Sequence, residues 1–245
     1  SMKDAYAISK SFANSKKITI IGGGFIGCEI ASGARKLNKE VTLIEAGPSI
    51  LGRSVAPVFS KKIAQHHESQ GISILTNCKA TSINSNEVKT NLKNISTDLA
   101  IAGIGVIPNI QLASQAKLDI DNGIVVNKYL QTTNKNIFAI GDIANFPFNS
   151  ETGRLRLESI QNANDQAKIV ANNIIAIRIK KELLKYSPIP WFWSDQGDLK
   201  LQMAGIGNLH AKHHILQNQE KGTLTVLHFV NDQLVALDTM NHGLN

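Results

Sequence analysis

The sequence predicts an α/β fold organised on a buried parallel sheet, and three observations predict it. A β-branched run, Ile18-Thr19-Ile20-Ile21, leads straight into a cluster of glycines. A stretch with apolar residues at helical spacing follows the cluster. A second short apolar run, Val41-Thr42-Leu43-Ile44, then ends in an acid, Glu45, about twenty residues beyond the glycines.

In order along the chain, Asp4 to about Phe12 reads as a short helix within an N-terminal linker, 1–16. Ile18–Ile21 is too uniformly apolar for a strand with one wet face, so it reads as a strand buried on both. Gly22-Gly23-Gly24-Phe25-Ile26-Gly27 fits G-x-G-x-x-G, and Ile26, Ile30, Ala31 and Ala34 give the helical period of a stretch ending near Leu37. Asn38-Lys39 makes the turn into the second strand. A helix is expected from about Pro57 to Ser69, and a β-meander from about Ile72 to Leu92. Asn136–Asp142 reads as a strand ending in Gly-Asp, and a helix is expected from about Arg156 to Ile177. Leu224–Val230 and Gln233–Asp238 form a hairpin around Asn231-Asp232, with apolar surface left uncovered that invites association as a homodimer, or aggregation.

The glycine segment has the order of a Rossmann-type dinucleotide site. Gly22 permits the tight turn, Gly24 lets backbone N–H groups approach a pyrophosphate, and Gly27 allows helix and strand to pack closely. The pyrophosphate sits at the positive end of the helix dipole. A glycine-rich turn without a ligand would not need a strand, helix, second strand and terminal acid in register. Glu45 can accept both adenosine ribose hydroxyls, whereas a 2′-phosphate would meet it as a like charge. At about 4 Å and an effective dielectric near 20 that repulsion is on the order of a few kcal/mol, favouring NAD over NADP unless Arg53 folds back to offset it.

Composition narrows the class. With 42% hydrophobic and 18% charged residues in 245, the chain is an ordinary globular one. No apolar run approaches the roughly 18 residues of a membrane helix. No signal-peptide h-region opens the chain, so the expected location is cytoplasmic. The net charge of +7 suits an acidic partner. The basic residues lie in scattered pairs such as Lys16-Lys17 and Lys61-Lys62, without the aromatic interleaving of a nucleic-acid surface. The two cysteines, Cys28 and Cys78, form no CxxC and read as packing residues.

Three further segments narrow the family. Ala102-Gly103-Ile104-Gly105-Val106-Ile107-Pro108-Asn109 closes the nucleotide-binding domain, Ile140-Gly141-Asp142 ends the later strand, and Pro190-Trp191-Phe192-Trp193-Ser194-Asp195-Gln196 opens the C-terminal part. With Gly22–Glu29, these resemble the FAD-dependent pyridine-nucleotide oxidoreductases. More narrowly, they resemble the ferredoxin and rubredoxin reductases of the putidaredoxin-reductase type, from about Lys17 to Leu244. The Trp-rich segment, followed by Asp198-Leu199-Lys200-Leu201-Gln202, is the most specific to that branch.

The resemblance implies NAD and FAD as cofactors and a small acidic ferredoxin- or rubredoxin-type carrier as partner. NAD contacts are implied for Gly22, Gly24, Phe25, Ile26, Gly27, Glu45, Gly103, Ile104 and Gly105. Asp142, after Gly141, is implied to accept from a ribityl hydroxyl of FAD, and Ile160 to approach the flavin pyrimidine oxygen through its main chain. Trp193 is implied to lie beside the isoalloxazine, and Glu29 near the nicotinamide–flavin junction. Each has a plainer reading: Asp142 a turn former, Trp193 a core or interface aromatic, Glu29 a helix-surface acid. Cys28 reads as a small buried residue. His210-Ala211-Lys212-His213-His214 and His66-His67 read as surface or loop, not metal ligands.

The family's first segment, with its own G-x-G-x-x-G for the ADP half of FAD, has no counterpart before Lys17, and relatives continue beyond Asn241. The expected layout is an NAD-binding domain over 17–108, the second half of an FAD-binding domain over 109–187, and a truncated C-terminal α+β interface domain over 188–245. The expected function is NADH-dependent reduction of the carrier through flavin, with no catalytic side chain named. The alternatives are an NADH oxidase or apoptosis-inducing-factor-like flavoprotein, and a catalytically silent NAD-binding fragment or subunit.

Overall fold

The computed structural model describes residues 2–148, 153–207 and 211–242. His210, and Leu244 where the resemblance ends, lie outside them. The chain divides into two units, Ser1–Gly105 with Trp193–Asn245, and Val106–Phe192.

In the first unit, α1 (Met2–Asn14) buries none of its side chains and leads into β1 (Lys17–Ile21). A βαβ crossover follows through α2 (Phe25–Lys36) to β2 (Glu40–Ile44), and a second through α3 (Pro57–Ser69) to β3 (Ile72–Leu75). After β4 (Ala80–Ile83), β5 (Glu87–Thr90) and β6 (Asn94–Ser96), β7 (Leu99–Ala102) returns beside β1, so the parallel sheet runs β3-β2-β1-β7. Ile18 pairs with Val41 and Leu99, and Ile21 with Ile44 and Ala102.

Two buried faces explain the uninterrupted apolar runs. Helix α2 packs on β1 and β2, with Ala31, Ala34, Ile18, Ile20, Val41 and Leu43 almost wholly removed from water. Each such Ile, Val or Leu contributes about 1.5–3 kcal/mol relative to exposure. The meander contributes Val88 and Ile95 to a second cluster with Ile44 and Cys78, packed with Ile21, Leu75 and Ala100.

The meander lies later than the sequence suggested. Ile72–Leu75 pairs parallel with β2, because a short apolar run after an amphipathic helix completes a crossover. The antiparallel meander is β4-β5-β6, which starts at Ala80 and ends at Ser96.

The second unit contains α4 (Gln111–Gln115), β8 (Ile124–Val125), a 3-10 turn at Gly141–Ile143, β9 (Ala144–Pro147), β10 (Arg154–Leu155) and α5 (Ile160–Arg178). Its core is Val126, Leu130, Ala139, Ala144, Phe146, Val170 and Tyr186. The expected strand at Asn136–Asp142 is not a ladder strand: one antiparallel bridge, Gln131 to Phe138, is its pairing. Gly141 and Asp142 form the turn that precedes β9, and β9 is the strand that pairs parallel with β8. The Gly141 N–H is taken by the Gln166 side chain instead of a neighbouring strand. Helix α5 starts later than Arg156, at Ile160, because Ser159 is extended and its side chain accepts from the Asn162 N–H at 3.1 Å.

β11 (Trp191–Gln196) begins in the second unit and continues into the first, where it edges an antiparallel sheet with β12 (Leu199–Gly205), β13 (Lys212–Asn218), β14 (Thr223–Val230) and β15 (Gln233–Met240). The order is β11-β12-β15-β14-β13. The hairpin forms as expected: Asn231 and Asp232 both have positive φ, 48° and 58°, as a tight I′ turn requires. Leu224, Val226 and Met240 are buried, and the exposed apolar side chains here include Ile215, Leu216, Leu234 and Val235.

Two glycines give opposite predictions. Gly205 has φ +77°, and a Cβ there would stand 2.1 Å from the Val235 carbonyl oxygen, whereas a Cβ on Gly33, exposed in α2, meets nothing within 4 Å. Urea denaturation should find Gly205→Ala destabilised by roughly 1–3 kcal/mol. Gly33→Ala should instead be stabilised by about 0.5–1 kcal/mol.

Candidate nucleotide-binding site

The site begins where β1 ends. The Gly22 N–H donates to the Ile44 carbonyl at 2.8 Å, and the Gly103 N–H donates to the Ile21 carbonyl at 2.8 Å, so the chain ends of β1, β2 and β7 converge. Gly22 has φ +107°, and a Cβ on it would fall 2.4 Å from the Gly103 oxygen. A Cβ on Gly27 would fall 2.0 Å from the Gly22 oxygen, which is the close helix–strand approach expected of the third glycine. Gly24 is different: nothing lies within 4 Å of the place its Cβ would occupy. Gly24 is also the N-cap of α2, and no side chain caps that helix.

Glu45, at the end of β2, is tied to this turn. Its two carboxylate oxygens accept from the Gly23 and Gly47 N–H groups, each at 2.7 Å. Those bonds occupy two of about four acceptor positions on a carboxylate and orient the group, leaving capacity for hydroxyl donors. Phe25 is half-buried at the head of α2, and Ile26 is 63% exposed beside it. Ile104 is exposed, and Gly105 has φ +108° with open space around it. The structure thus gathers Gly22, Gly24, Phe25, Ile26, Gly27, Glu45, Gly103, Ile104 and Gly105 at the carboxyl ends of the parallel strands, where ligands of open α/β sheets bind.

Cys28 is fully buried, as expected, and burial above all pushes its thiol up to about 12, with Glu29 and Glu45 adding to the effect. Arg53 is exposed.

Glu29 lies a turn further along α2 and accepts a hydrogen bond from the Ser194 hydroxyl of β11. Behind it runs a line of buried side chains that the sequence reading missed. Gln196 Nε2 lies 3.3 Å from Ser194 Oγ, Gln196 Oε1 lies 2.8 Å from His67 Nε2, and His67 Nδ1 lies 3.3 Å from Ser32 Oγ. His67 is 1% exposed, which corrects its assignment to the surface. The signal was periodic: Phe59, Ile63 and His67 recur every four residues on the inward face of α3. His66, its neighbour, turns outward to Asp198 at 2.8 Å.

The described part of the second histidine segment lies at the surface, with Lys212 and His214 exposed and His213 half-buried. Lys212 to His214 belong to β13, with His213 edge-on to His228 at 4.7 Å between ring centroids. His228 Nε2 lies 2.9 Å from Asp238, both buried. Among the described residues no group of three or more His, Cys, Asp or Glu could hold a metal ion.

In the second unit, Asp142 is exposed in the turn before β9, and its carbonyl accepts from Arg156 Nη1 at 2.8 Å. Gly141 donates to Gln166 of α5 at 2.7 Å, which brings the Gly-Asp turn against that helix. Ile160, the first residue of α5, is 65% exposed. Trp193, on β11, belongs to the first unit and is 43% exposed.

A parallel sheet with a glycine turn at its carboxyl edge is the architecture of a dinucleotide-binding domain. Residues 1–167 match the pyridine nucleotide-disulphide oxidoreductase family and residues 191–245 match the reductase C-terminal domain. The chain belongs to that family. It is 36% identical to rhodocoxin reductase of Rhodococcus erythropolis over 244 residues, which is 97% of this chain and 56% of the relative. A ferredoxin reductase from Rhodopseudomonas palustris superposes with a TM-score of 0.90 at 32% identity, over 98% of this chain and 60% of that one. The reductase of a covalent putidaredoxin reductase–putidaredoxin complex gives 0.88 at 33% identity, over 98% and 58%. The chain therefore spans under two thirds of the length of these relatives. No helix among the described residues is long and apolar enough to cross a membrane.

The buried histidine gives a pH dependence. Burial lowers the His67 pKa below its ordinary 6.5, the hydrogen bond to Gln196 opposes this in part, and His66 adds to the lowering. The unfolded chain takes up a proton near pH 6.5 that the folded chain refuses until lower pH, so stability is full above that value and falls below it. Denaturation at about pH 7.5 and about pH 5.5 should show a larger acid loss for wild type than for His67→Gln.

Proposed function

We propose that this chain supplies the NADH-binding part of a flavin-dependent reductase that passes electrons to a small acidic ferredoxin- or rubredoxin-type carrier. The observation that carries the reading is the turn at Gly22–Gly27. An uncapped twelve-residue helix opens onto vacant space above Gly24, with an oriented carboxylate at the end of the next strand. Backbone N–H groups and the helix dipole suit a pyrophosphate. Glu45 suits the ribose hydroxyls and disfavours a 2′-phosphate.

The residues fit both groups to different extents. NAD would be held by Gly22, Gly24, Phe25, Ile26, Gly27, Glu45 and the Gly103–Gly105 turn, all in one unit. FAD would take Asp142 and the first turn of α5 at Ile160; in support, Asp142 and Ile160 are exposed and Gly141 is bonded to α5. Bound FAD supplies the conversion of a hydride's electron pair into single electrons. The protein's part is to orient the nicotinamide end, where Glu29 accepts a carboxamide donor, and to keep water from it. Residues 17–108 would then be the NAD-binding domain, 109–187 part of an FAD-binding domain and 188–245 the face toward the carrier, with 1–16 a helical linker. The net charge of +7 favours an acidic carrier, and one relative is seen in a covalent complex with putidaredoxin.

An absorption spectrum with added FAD, before and after NADH, tests this. A flavin band that bleaches with NADH and recovers on adding oxidised ferredoxin or rubredoxin is the expected result. NADH binding with no flavin band at any FAD concentration would favour a silent nucleotide-binding chain instead. In the same assay Glu45→Ala should reduce the preference for NADH over NADPH by about tenfold or more.

A further inference from the structure

The line of buried polar side chains behind Glu29 has a direction, and the direction follows from its end. A carboxylate can only accept, so the Ser194 hydroxyl donates its one proton to Glu29. Ser194 must then accept from Gln196, which sets the amide with Nε2 toward Ser194 and Oε1 toward His67. His67 Nε2 must in turn carry a proton, and in the neutral ring Nδ1 is left as an acceptor, 3.3 Å from the Ser32 hydroxyl, whose single proton is shared between it and the Cys28 carbonyl at 3.0 Å. Every donor in the series points at the carboxylate. His67, Ser194 and Gln196 are each no more than 1% exposed, and they come from α3 and β11, with Glu29 and Ser32 on α2.

Packing alone does not call for such a series, since apolar groups of the same shape would fill the space at little or no loss of stability. What an apolar filling would not do is fix the carboxylate. Without Ser194, Glu29 has several rotamers open at the surface of α2. With it, Oε1 is occupied and the group is held in one orientation.

We propose that His67 and Gln196 are positioning residues. Acting through Ser194, they hold Glu29 so that its second oxygen, Oε2, accepts from the carboxamide of the nicotinamide of NADH. The inference rests on the reading that Glu29 lies at the nicotinamide end of the site. Serial polarisation strengthens each bond in the line, so a change at His67 is felt at Glu29 without touching it.

ADP-ribose separates this role from a structural one, because it shares every contact of NADH except those to nicotinamide. Dissociation constants of both ligands are measured on the whole chain by calorimetry. Glu29→Gln, Ser194→Ala and His67→Leu should each weaken NADH about threefold to tenfold and leave ADP-ribose within about twofold. His67→Gln, which keeps a donor for Gln196, should recover most of the loss. The double variant Ser194→Ala/His67→Leu should bind NADH no more weakly than Ser194→Ala alone, since the line is already cut. Gln196→Met serves as the second cut if His67→Leu does not fold. Parallel loss of both ligands in His67→Leu, or additive losses in the double variant, would overturn the positioning role. Selective loss in Glu29→Gln with none in His67→Leu or Gln196→Met would do the same while leaving Glu29 at the nicotinamide. If Glu29→Gln spares NADH, the placement of Glu29 is itself wrong, and the inference falls with it.

Discussion

Helix α2 starts so close to the end of strand β1 that the Gly22 carbonyl oxygen stands 2.0 Å from where a Cβ on residue 27 would be. No other residue type is compatible with that approach. From it follows the rest of the first unit: the helix start is brought down onto the sheet edge, and Ala31 and Ala34 can meet β1 and β2 without side chains that would lever them apart. Glu45 then reaches back across the gap to the Gly23 N–H, so that turn and second strand are fixed as one body.

That constraint is also why this part of the protein was readable. Glycines at 22, 24 and 27, a buried strand on either side and an acid at 45 are local signals with one geometric solution. The positions of β1, α2, β2 and α3 agree with the sequence to within a residue or so. The hairpin at Asn231-Asp232 was legible for the same kind of reason, a turn type that few residue pairs satisfy.

The misreadings share a different cause. Ile72–Leu75 carries no local mark that distinguishes a crossover strand from the first strand of a meander, since both are short and apolar; its pairing with β2 is a long-range fact. Gly141-Asp142 ends an apolar run in sequence, but the hydrogen bond that shapes it comes from Gln166, twenty-five residues away. His66 and His67 are adjacent in sequence, but helical phase puts the two on different faces. A polar residue on a buried phase is easily dismissed as noise in a hydrophobic pattern, yet such residues are where a core carries specific contacts.

The burial of Cys28 has a use beyond packing. Its sulfur lies 3.7 Å from the Gly23 carbonyl oxygen, inside the glycine turn, and with a thiol pushed up to about 12 it is an inert species at neutral pH. On the order of one molecule in a hundred thousand would carry the thiolate at pH 7. An alkylating reagent can therefore reach this sulfur only when the turn itself comes apart. Its rate of labelling becomes a clock for local opening of the nucleotide cradle, one that bound dinucleotide would slow.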